Sequence, residues 1–256
     1  MRELVEQLAS SHSLDAKSLG ALIDACAADP SVLQLLRDNA VRTARQQFGL
    51  GIYIRGLIEL SSYCRADCLY CGLRRSNRTA ERYRLTAEEV MECCKEGYAL
   101  GFRTFVLQGG EDGTHSDDWL VELLSRMRSL YPDVAITLSL GERSEESYIR
   151  LRRAGANRYL LRHEAANETL YDSLHPSGRG IKHRLGCIEA LQRADYQVGM
   201  GMMIGVKGQT TEHIVEDLKL IERYKPQMVG IGPFLPHHAT PLGNEPKGSL
   251  TLTLAA

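Results

Sequence analysis

The feature that most constrains the fold is a regular alternation of short β-like runs and amphipathic helical stretches after residue 50. The β-like runs lie at 52–60, 103–108, 134–140, 158–163, 197–204 and 227–235. The helical stretches lie at about 86–100, 116–130, 144–155, 180–194 and 210–223. Repeated β-then-α order predicts parallel strands joined by right-handed crossovers. The chain is therefore predicted to be α/β, either an open doubly wound sheet or a (β/α) barrel.

Residues suited to chemistry follow the ends of successive β-like runs. A cysteine cluster follows the first run, Gly109-Gly110-Glu111 the second and Gly141-Glu142 the third. Barrel enzymes build their sites along this carboxyl-end rim, whereas open sheets concentrate theirs at one crevice. The spread favours a TIM-like barrel with about six βα units. Two strands that a closed barrel needs are missing, so we expect either a six-strand partial barrel or a fragment.

The residues before this alternation are predicted to be helical. Their apolar spacing indicates three helices up to about residue 48, with a break at Asp29-Pro30. We therefore divide the chain into an N-terminal helical extension, 1–50, and a partial barrel, 51–256. Further along, Thr86 and Glu89 form a capping-box pattern, and Thr211 is a second candidate helix cap.

Charge balance and composition exclude several classes of partner. Lys+Arg total 31 and Asp+Glu total 32 in 256 residues, so no net field attracts nucleic acid or an anionic membrane. No apolar run is long enough to span a bilayer, and the first residues lack the apolar core of a secretory signal. We expect a cytoplasmic protein that binds neither nucleic acid nor membrane.

Cys64, Cys68 and Cys71 form a C-x3-C-x2-C run directly after the first β-like segment. This spacing suits three corners of a [4Fe–4S] cube and leaves one iron without a protein ligand. Structural zinc usually needs four ligands in two separated pairs, and no second C-x2-C pair exists here. An iron–sulfur site is therefore the favoured interpretation, with zinc or unligated thiols as alternatives. The other candidates are interpreted as small core residues: Cys93, Cys94 and Cys187.

Several stretches together resemble the radical S-adenosylmethionine (SAM) enzymes, and among them the HydE-type maturases of [FeFe]-hydrogenase. Tyr70 precedes the last cysteine of the loop, as in that superfamily. The denser matches are CGLRR from Cys71, RYRLT from Arg82, VLQGGE from Val106, TLSLGE from Thr137, YLLRHE from Tyr159 and MVGIGPF from Met228. Val206-Lys207 departs from the Leu-Pro usual in the family, and the last barrel strands are absent.

The resemblance implies a [4Fe–4S] cluster on the three cysteines and SAM bound to its open iron. By the same resemblance, the SAM contacts are Tyr70, Gly109, Gly110, Glu111, Ser139, Glu164, Arg184, Met202 and Ile231. Glu142 and Arg162 are tentative substrate contacts. From the residues alone, Arg162 and Glu164 alternate on one strand and should share a face, with a surface ion pair near the strand end as the alternative interpretation. A buried core role for Met202 also stays open.

The implied function is reductive cleavage of SAM to a 5′-deoxyadenosyl radical during assembly of the hydrogenase active site. The implied partners are a small sulfur-containing or cysteine–iron substrate, a ferredoxin or flavodoxin as electron donor, and other maturation proteins. Alternative functions are a methylornithine synthase or biotin-synthase-like enzyme, and a truncated scaffold that holds a cluster without turnover.

Overall fold

The computed structural model describes residues 1–176 and 178–256. The strands are β1 (Gly56–Ser61), β2 (Thr104–Gly109), β3 (Ala135–Ser139), β4 (Arg158–Leu160), β5 (Gln197–Ile204) and β6 (Met228–Pro233). The helices are α1 (Arg2–Ser11), α2 (Ala16–Ala28), α3 (Pro30–Phe48), α4 (Ala87–Ala99), α5 (Asp117–Leu130), α6 (Glu145–Arg153), α7 (Glu168–Leu174), α8 (Gly180–Arg193), α9 (Thr211–Tyr224) and α10 (Leu250–Ala255).

The six strands form one parallel sheet in the order β1-β2-β3-β4-β5-β6. Each strand pairs with the next along the chain, so no topological switch point interrupts the sheet. A doubly wound sheet would need such a switch. The prediction of an α/β, TIM-like partial barrel with six βα units is therefore confirmed.

Alternate residues of the strands face a large apolar core between the sheet and its helices. Leu60, Leu107, Leu138 and Tyr159 are among its fully buried members. Since strand residues alternate between faces, their neighbours line the opposite, lumen face of the sheet. This alternation decides which side chains can enter a site inside the barrel.

Helices α3 and α4 begin where the sequence indicates. Thr86 and Glu89 make the predicted reciprocal capping box at the start of α4. Asp29 accepts the amide of Ser31 at the start of α3, directly before Pro30 in the first turn. The prediction for Thr211 is wrong: it is the first residue of α9, and its hydroxyl donates to Asp24 of α2 at 2.6 Å.

Two segments differ from the predicted pattern. The fourth strand ends at Leu160, not at residue 163, because the following residues leave the ladder and Glu164 takes a positive φ of 65°. Within 52–60, only the residues from Gly56 onward join the sheet. Helix α7 was not predicted, and it lies beside the start of α8 at the rim of the barrel.

The N-terminal helices pack against one end of the barrel. Ile23 of α2 lies in a buried cluster with Ile214 and Val215 of α9, and α10 packs against α2 and α3. These helices add no strand to the sheet, so we keep 1–50 as a proposed extension of a barrel at 51–256. In the part of the chain that the structure describes, no single helix could cross a membrane; α2 and α3 pass only as a pair bent by 118°.

Candidate active site

The loop after β1 carries the three cysteines and is organised by two charged residues. Asp67 accepts from Arg74 Nε at 2.9 Å and from the Ser76 amide at 3.0 Å. The hydrogen bond from Arg74 holds the pKa of Asp67 well below its usual range. Arg82 donates to four backbone carbonyls: those of Ser62, Leu73, Arg74 and Asn77. One guanidinium thus holds both ends of the loop together.

The second strand closes tightly onto this loop. The amide of Glu111 donates to Cys64 Sγ at 3.3 Å. A Cβ added at Gly110 would lie 2.4 Å from the Tyr63 carbonyl oxygen and 2.5 Å from Cys64 Cβ, so only glycine fits there. The predicted Gly109-Gly110-Glu111 motif is therefore in contact with the cysteine loop, with Gly110 as the point of closest approach.

The three thiols fit an iron–sulfur cluster better than a single metal ion. Burial and the neighbouring Cys71 and Cys64 raise the pKa of Cys68 to about 12, and burial also raises the pKa of Cys71. Among the described residues, these sulfurs do not form a set within 4.8 Å of one another. Two Zn–S bonds of about 2.3 Å require sulfurs only about 3.8 Å apart. At least one pair of these sulfurs is therefore wider apart than two ligands of one zinc ion, as a cluster of several irons allows.

A cavity of about 300 Å³ adjoins the cysteine loop, and its lining includes Cys68, Glu111, Glu142, His175 and Arg184. Arg184 Nε forms an ion pair with Glu142 Oε1 at 2.9 Å, and it donates a hydrogen bond to the Tyr171 hydroxyl at 3.3 Å. Burial opposes the charge on Arg184, but Tyr171 and Glu142 outweigh it and hold its pKa above the usual value. The cavity therefore has a fixed positive charge beside the cysteines.

Glu111 and Glu142 come from neighbouring strand ends and are locked together. Glu111 Oε1 accepts the amide of Glu142 at 3.2 Å, and its Oε2 accepts from Arg65 Nε at 2.9 Å. Gly141 makes this possible, because its φ is 72° and an added Cβ would lie 2.2 Å from Glu111 Cγ. Two carboxylates thus face a cavity that also holds the Arg184 charge.

Tyr70 closes the inner side of the cysteine loop against His175. The Tyr70 hydroxyl lies 3.0 Å from His175 Nε2, and His175 Nδ1 lies 2.9 Å from the carbonyl oxygen of Tyr171. A carbonyl only accepts, so Nδ1 carries the proton and Nε2 accepts from Tyr70. Burial lowers the pKa of His175 to about 4, so this ring is neutral near pH 7.

This buried histidine predicts acid sensitivity. Its pKa falls from 6.5 to about 4 on folding, so between those values the unfolded chain binds more protons. The stabilising contribution is present above pH 6.5 and is lost as the pH falls toward 4. When the pH is lowered from 7 to 5, we expect the free energy of unfolding of wild type to fall by about 2 kcal/mol more than that of the His175→Gln variant. Urea titrations at both pH values measure this, and parallel losses in the two proteins would contradict it.

Arg162 and Glu164 share the lumen face although the strand has ended. Arg162 Nη2 lies 3.3 Å from Glu164 Oε2 and 2.5 Å from the Met202 carbonyl oxygen. Burial raises the pKa of Glu164, and Arg162 and Arg184 partly offset this rise. The structure thus pairs Arg162 with Glu164 and Arg184 with Glu142. The sequence-based prediction instead groups Glu164 with Arg184.

Further polar side chains line the lumen from β3. Thr137 and Ser139 alternate with Ile136 and Leu138, which belong to the outer core, so both point inward. The Thr137 hydroxyl and Arg162 Nε are buried, and neither has a hydrogen-bond partner within the described residues. The lumen therefore offers hydrogen-bonding groups to a small molecule.

Two predicted cofactor contacts do not point into the lumen. Met202 is fully buried in a cluster with Ile214 and Val215 of α9, and Ile231 packs against the same cluster. Both side chains lie on the outer face of the sheet, so any contact with a ligand there would come from backbone. For the Met202 side chain, the core interpretation is the one the packing supports.

Sequence reasoning missed Tyr171, His175 and Asp217, and it assigned no role to Arg82. Tyr171 and His175 lie on or just after α7, which has no strong sequence signal. Arg82 belongs to a stretch used for the family resemblance, but nothing in its spacing indicates four carbonyl contacts. Asp217 lies on the inner face of an amphipathic helix, where an acidic residue is the only signal.

Glu142, His183 and Cys187 bring three possible metal-ligand atoms within 4.8 Å of one another. Arg184 is bonded to the same carboxylate, and Arg179 Nη1 lies 3.1 Å from His183 Nε2. One guanidinium beside the carboxylate and a second beside the imidazole disfavour a divalent cation. We therefore interpret this group as part of the ion-pair network around the cavity.

Comparison with known proteins agrees with this site. The family model described as the radical SAM superfamily matches residues 58–221. The chain belongs to this superfamily, and the predicted cofactors, a [4Fe–4S] cluster and SAM, are those that the superfamily uses. More particularly, it is 45% identical over 210 residues to the [FeFe] hydrogenase maturase subunit HydE of Thermotoga maritima, covering 82% of this chain and 60% of that protein.

Other relatives are more distant. The 3-methylornithine synthase of Methanosarcina acetivorans is 29% identical over 212 residues, covering 82% of this chain and 59% of the relative. A crystal structure of methylornithine synthase superimposes with a TM-score of 0.86 at 27% identity, covering 94% of this chain and 70% of that one. HydG from Carboxydothermus hydrogenoformans shares the fold, with a TM-score of 0.79 at 20% identity, covering 99% of this chain and 62% of that one. The chain spans about 60% of the length of the curated relatives it matches.

Proposed function

We propose that this chain is the catalytic part of a HydE-type radical SAM enzyme that acts in maturation of the [FeFe]-hydrogenase active site. The observation that supports this most directly is the cavity in which Cys68 lies beside Arg184, Glu111 and Glu142. It places a fixed cation and two carboxylates next to an incomplete set of cluster ligands, and SAM carries both an amino and a carboxylate group.

The residues of the cavity would bind and orient SAM. Arg184 is suited to the SAM carboxylate, because its Nε is already held by Glu142 and its charge is maintained by the surroundings. Glu111 and the strand end at Gly109 and Gly110 supply acceptors for the SAM ammonium group. Glu164 and Ser139 would contact the cofactor from the lumen side. When bound and reduced, a cluster would supply the electron for cleavage of SAM to methionine and a 5′-deoxyadenosyl radical.

Tyr70 would keep water away from the cluster side of the cavity. Its hydroxyl is satisfied by neutral His175, so the ring can stay in an apolar setting without an unpaired donor. Burial raises its pKa well above the usual value, so the hydroxyl stays protonated and keeps its hydrogen bond to His175.

The substrate would occupy the lumen above SAM. Arg162 Nε and the Thr137 hydroxyl are buried groups without partners in the described residues, and both can donate to a carboxylate. This supports a small, cysteine-bearing iron complex or related sulfur compound, since cysteine brings a carboxylate. Glu142 is less suited to the substrate than the sequence implied, because Arg184 and His183 already contact both of its oxygens.

The remaining assignments follow from the same proposal. The electron donor would be a ferredoxin or flavodoxin, and the product would pass to other hydrogenase maturation proteins. We place the chain in the cytoplasm, where reduced thiols permit cluster assembly.

Anaerobic reconstitution with iron and sulfide, followed by dithionite and SAM, tests the function. We expect release of 5′-deoxyadenosine from wild type, and for Arg184→Gln a KM for SAM raised by about tenfold or more, because a buried charge-assisted contact is lost. Arg193→Gln is the matched control on α8, since that side chain is exposed and, among the described residues, forms its ion pair with Glu145. A cluster signal without 5′-deoxyadenosine would instead support the scaffold function.

Methylornithine synthesis is the second candidate, because the structure of such an enzyme superimposes with a TM-score of 0.86. Methylornithine is a basic amino acid, and the Arg162 guanidinium in the lumen opposes a second ammonium group there. Incubation of the reconstituted protein with SAM and the common amino acids, followed by mass spectrometry, separates the two functions. Formation of methylornithine would favour the second candidate over the first.

A further inference from the structure

Glu164 is held in a backbone conformation that it would not adopt unaided. Its φ of 65° lies in the left-handed region, which costs a non-glycine residue about 1 kcal/mol or more. The residue lies four positions beyond the end of β4, where the regular ladder no longer fixes the chain. Such a conformation persists only when surrounding contacts determine it.

Those contacts come from both sides of the residue. The Glu164 amide donates to the Gly201 carbonyl of β5 at 2.9 Å, which ties the residue to the sheet. On the helix side, Asp217 Oδ1 accepts the amide of Ala166 at 2.5 Å and lies 3.2 Å from His163 Nε2. A carboxylate only accepts, so Nε2 is the protonated nitrogen and donates. A single atom on α9, Asp217 Oδ1, therefore contacts both His163, just before Glu164, and Ala166, two residues after it.

The location of this contact is unusual for residues that merely fill a core. His163 and Asp217 are both 0% exposed, and Asp217 lies on the face of α9 that also carries Ile214. Within the described residues, Asp217 Oδ2 and His163 Nδ1 have no hydrogen-bond partner. A buried polar pair is often no more stabilising than apolar residues of the same size, so stability alone is a weak reason for it.

Neighbouring residues on this segment face opposite ways. His163 points outward to α9, whereas Arg162 and Glu164 meet on the lumen side at 3.3 Å. Fixing His163 and the Ala166 amide from outside therefore fixes where the Glu164 carboxylate lies inside. The contact acts through backbone and does not touch the lumen itself.

We propose that Asp217 and His163 are positioning residues for Glu164, holding its left-handed turn so that the carboxylate meets SAM in the lumen. The inference rests on the proposed function in one respect, namely that Glu164 contacts SAM. It assigns to α9, on the outer layer of the barrel, an indirect part in cofactor affinity.

A double-mutant cycle on the cluster-loaded protein tests this. SAM affinity is read from the change that SAM causes in the electron paramagnetic resonance spectrum of the reduced cluster. Asp217→Asn and Glu164→Gln are each expected to weaken SAM binding by about tenfold. Asp217→Asn should add less than about twofold in the Glu164→Gln background, because the carboxylate it positions is already gone. Glu212→Gln is the matched control, an exposed acidic residue in the first turn of α9, and should bind SAM as wild type does.

Two variants of His163 test the same proposal if Asp217→Asn folds poorly. His163→Gln keeps a donor toward Asp217 and should retain wild-type affinity within about twofold, whereas His163→Leu should lose about tenfold. Additive losses in the cycle, or wild-type affinity in both Asp217→Asn and His163→Leu, would overturn the positioning role. Failure of wild type to bind SAM would overturn the proposed function instead. Binding by wild type with no effect of Glu164→Gln would overturn only the inference.

Discussion

Cys68→Ala is expected to abolish both cluster assembly and cleavage of SAM. Cys68 lines the cavity beside Arg184, and burial, with a smaller contribution from Cys71 and Cys64, raises the pKa of its thiol to about 12. Loss of one of three ligands leaves too few thiolates to hold a cubane against solvent. Iron and sulfide analysis after anaerobic reconstitution, together with 5′-deoxyadenosine release, measures the effect.

The matched control for this variant is Cys93→Ala. The interpretation of Cys93 as a core residue is wrong, because it is an exposed free thiol on α4. Its removal should therefore leave iron content and SAM cleavage unchanged. Full cluster content in Cys68→Ala would contradict the assignment of the cysteine loop. Stoichiometric zinc in place of iron in the wild-type protein would also contradict the assignment of the cysteine loop to an iron–sulfur cluster.

Gly110→Ala is expected to have the second largest effect, although it adds only a methyl group. The new Cβ would lie 2.4 Å from a backbone oxygen and 2.5 Å from Cys64 Cβ, so the strand end or the cysteine loop must move. Overpacking of this kind costs about 1–3 kcal/mol, and here it also displaces a cluster ligand. We expect most of the cluster to be lost, measured as iron per chain and as the visible absorbance of the reconstituted protein.

Gly113→Ala is its control within the same loop. A Cβ at Gly113 has no heavy atom within 4 Å, so that variant should reconstitute as wild type does. Equal cluster content in the two variants would mean that the close approach of Gly110 to Cys64 is not needed for the site.

Much of the architecture was predictable because it rests on local patterns. The β-then-α alternation indicated six parallel strands, and each of the six is present in order. The capping box at Thr86 and the helix start at Pro30 depend only on residues a few positions apart, and both were predicted. The end of β4 was not, since the turn at Glu164 depends on Asp217, which lies 53 residues later in the chain.

The candidate site was predictable in part for the same reason. The spacing of Cys64, Cys68 and Cys71 and the glycines at 109 and 110 are local signals, and the structure brings these two segments into contact. The pairing of Arg184 with Glu142 was not foreseen, because it joins α8 to the end of β3. Alternation along the strands could have predicted that the Met202 and Ile231 side chains lie outside the lumen, had each strand residue been assigned to a face.

The sequence by itself determined the fold class, the number and order of the strands, and the segments on which cofactor chemistry could lie. These properties follow from residue periodicity and from short spacings, which a linear chain carries directly. Only the tertiary structure decided which charges meet, which side chains enter the lumen and how Glu164 is held. Those outcomes depend on contacts between distant segments, whose geometry is set by packing of the whole barrel.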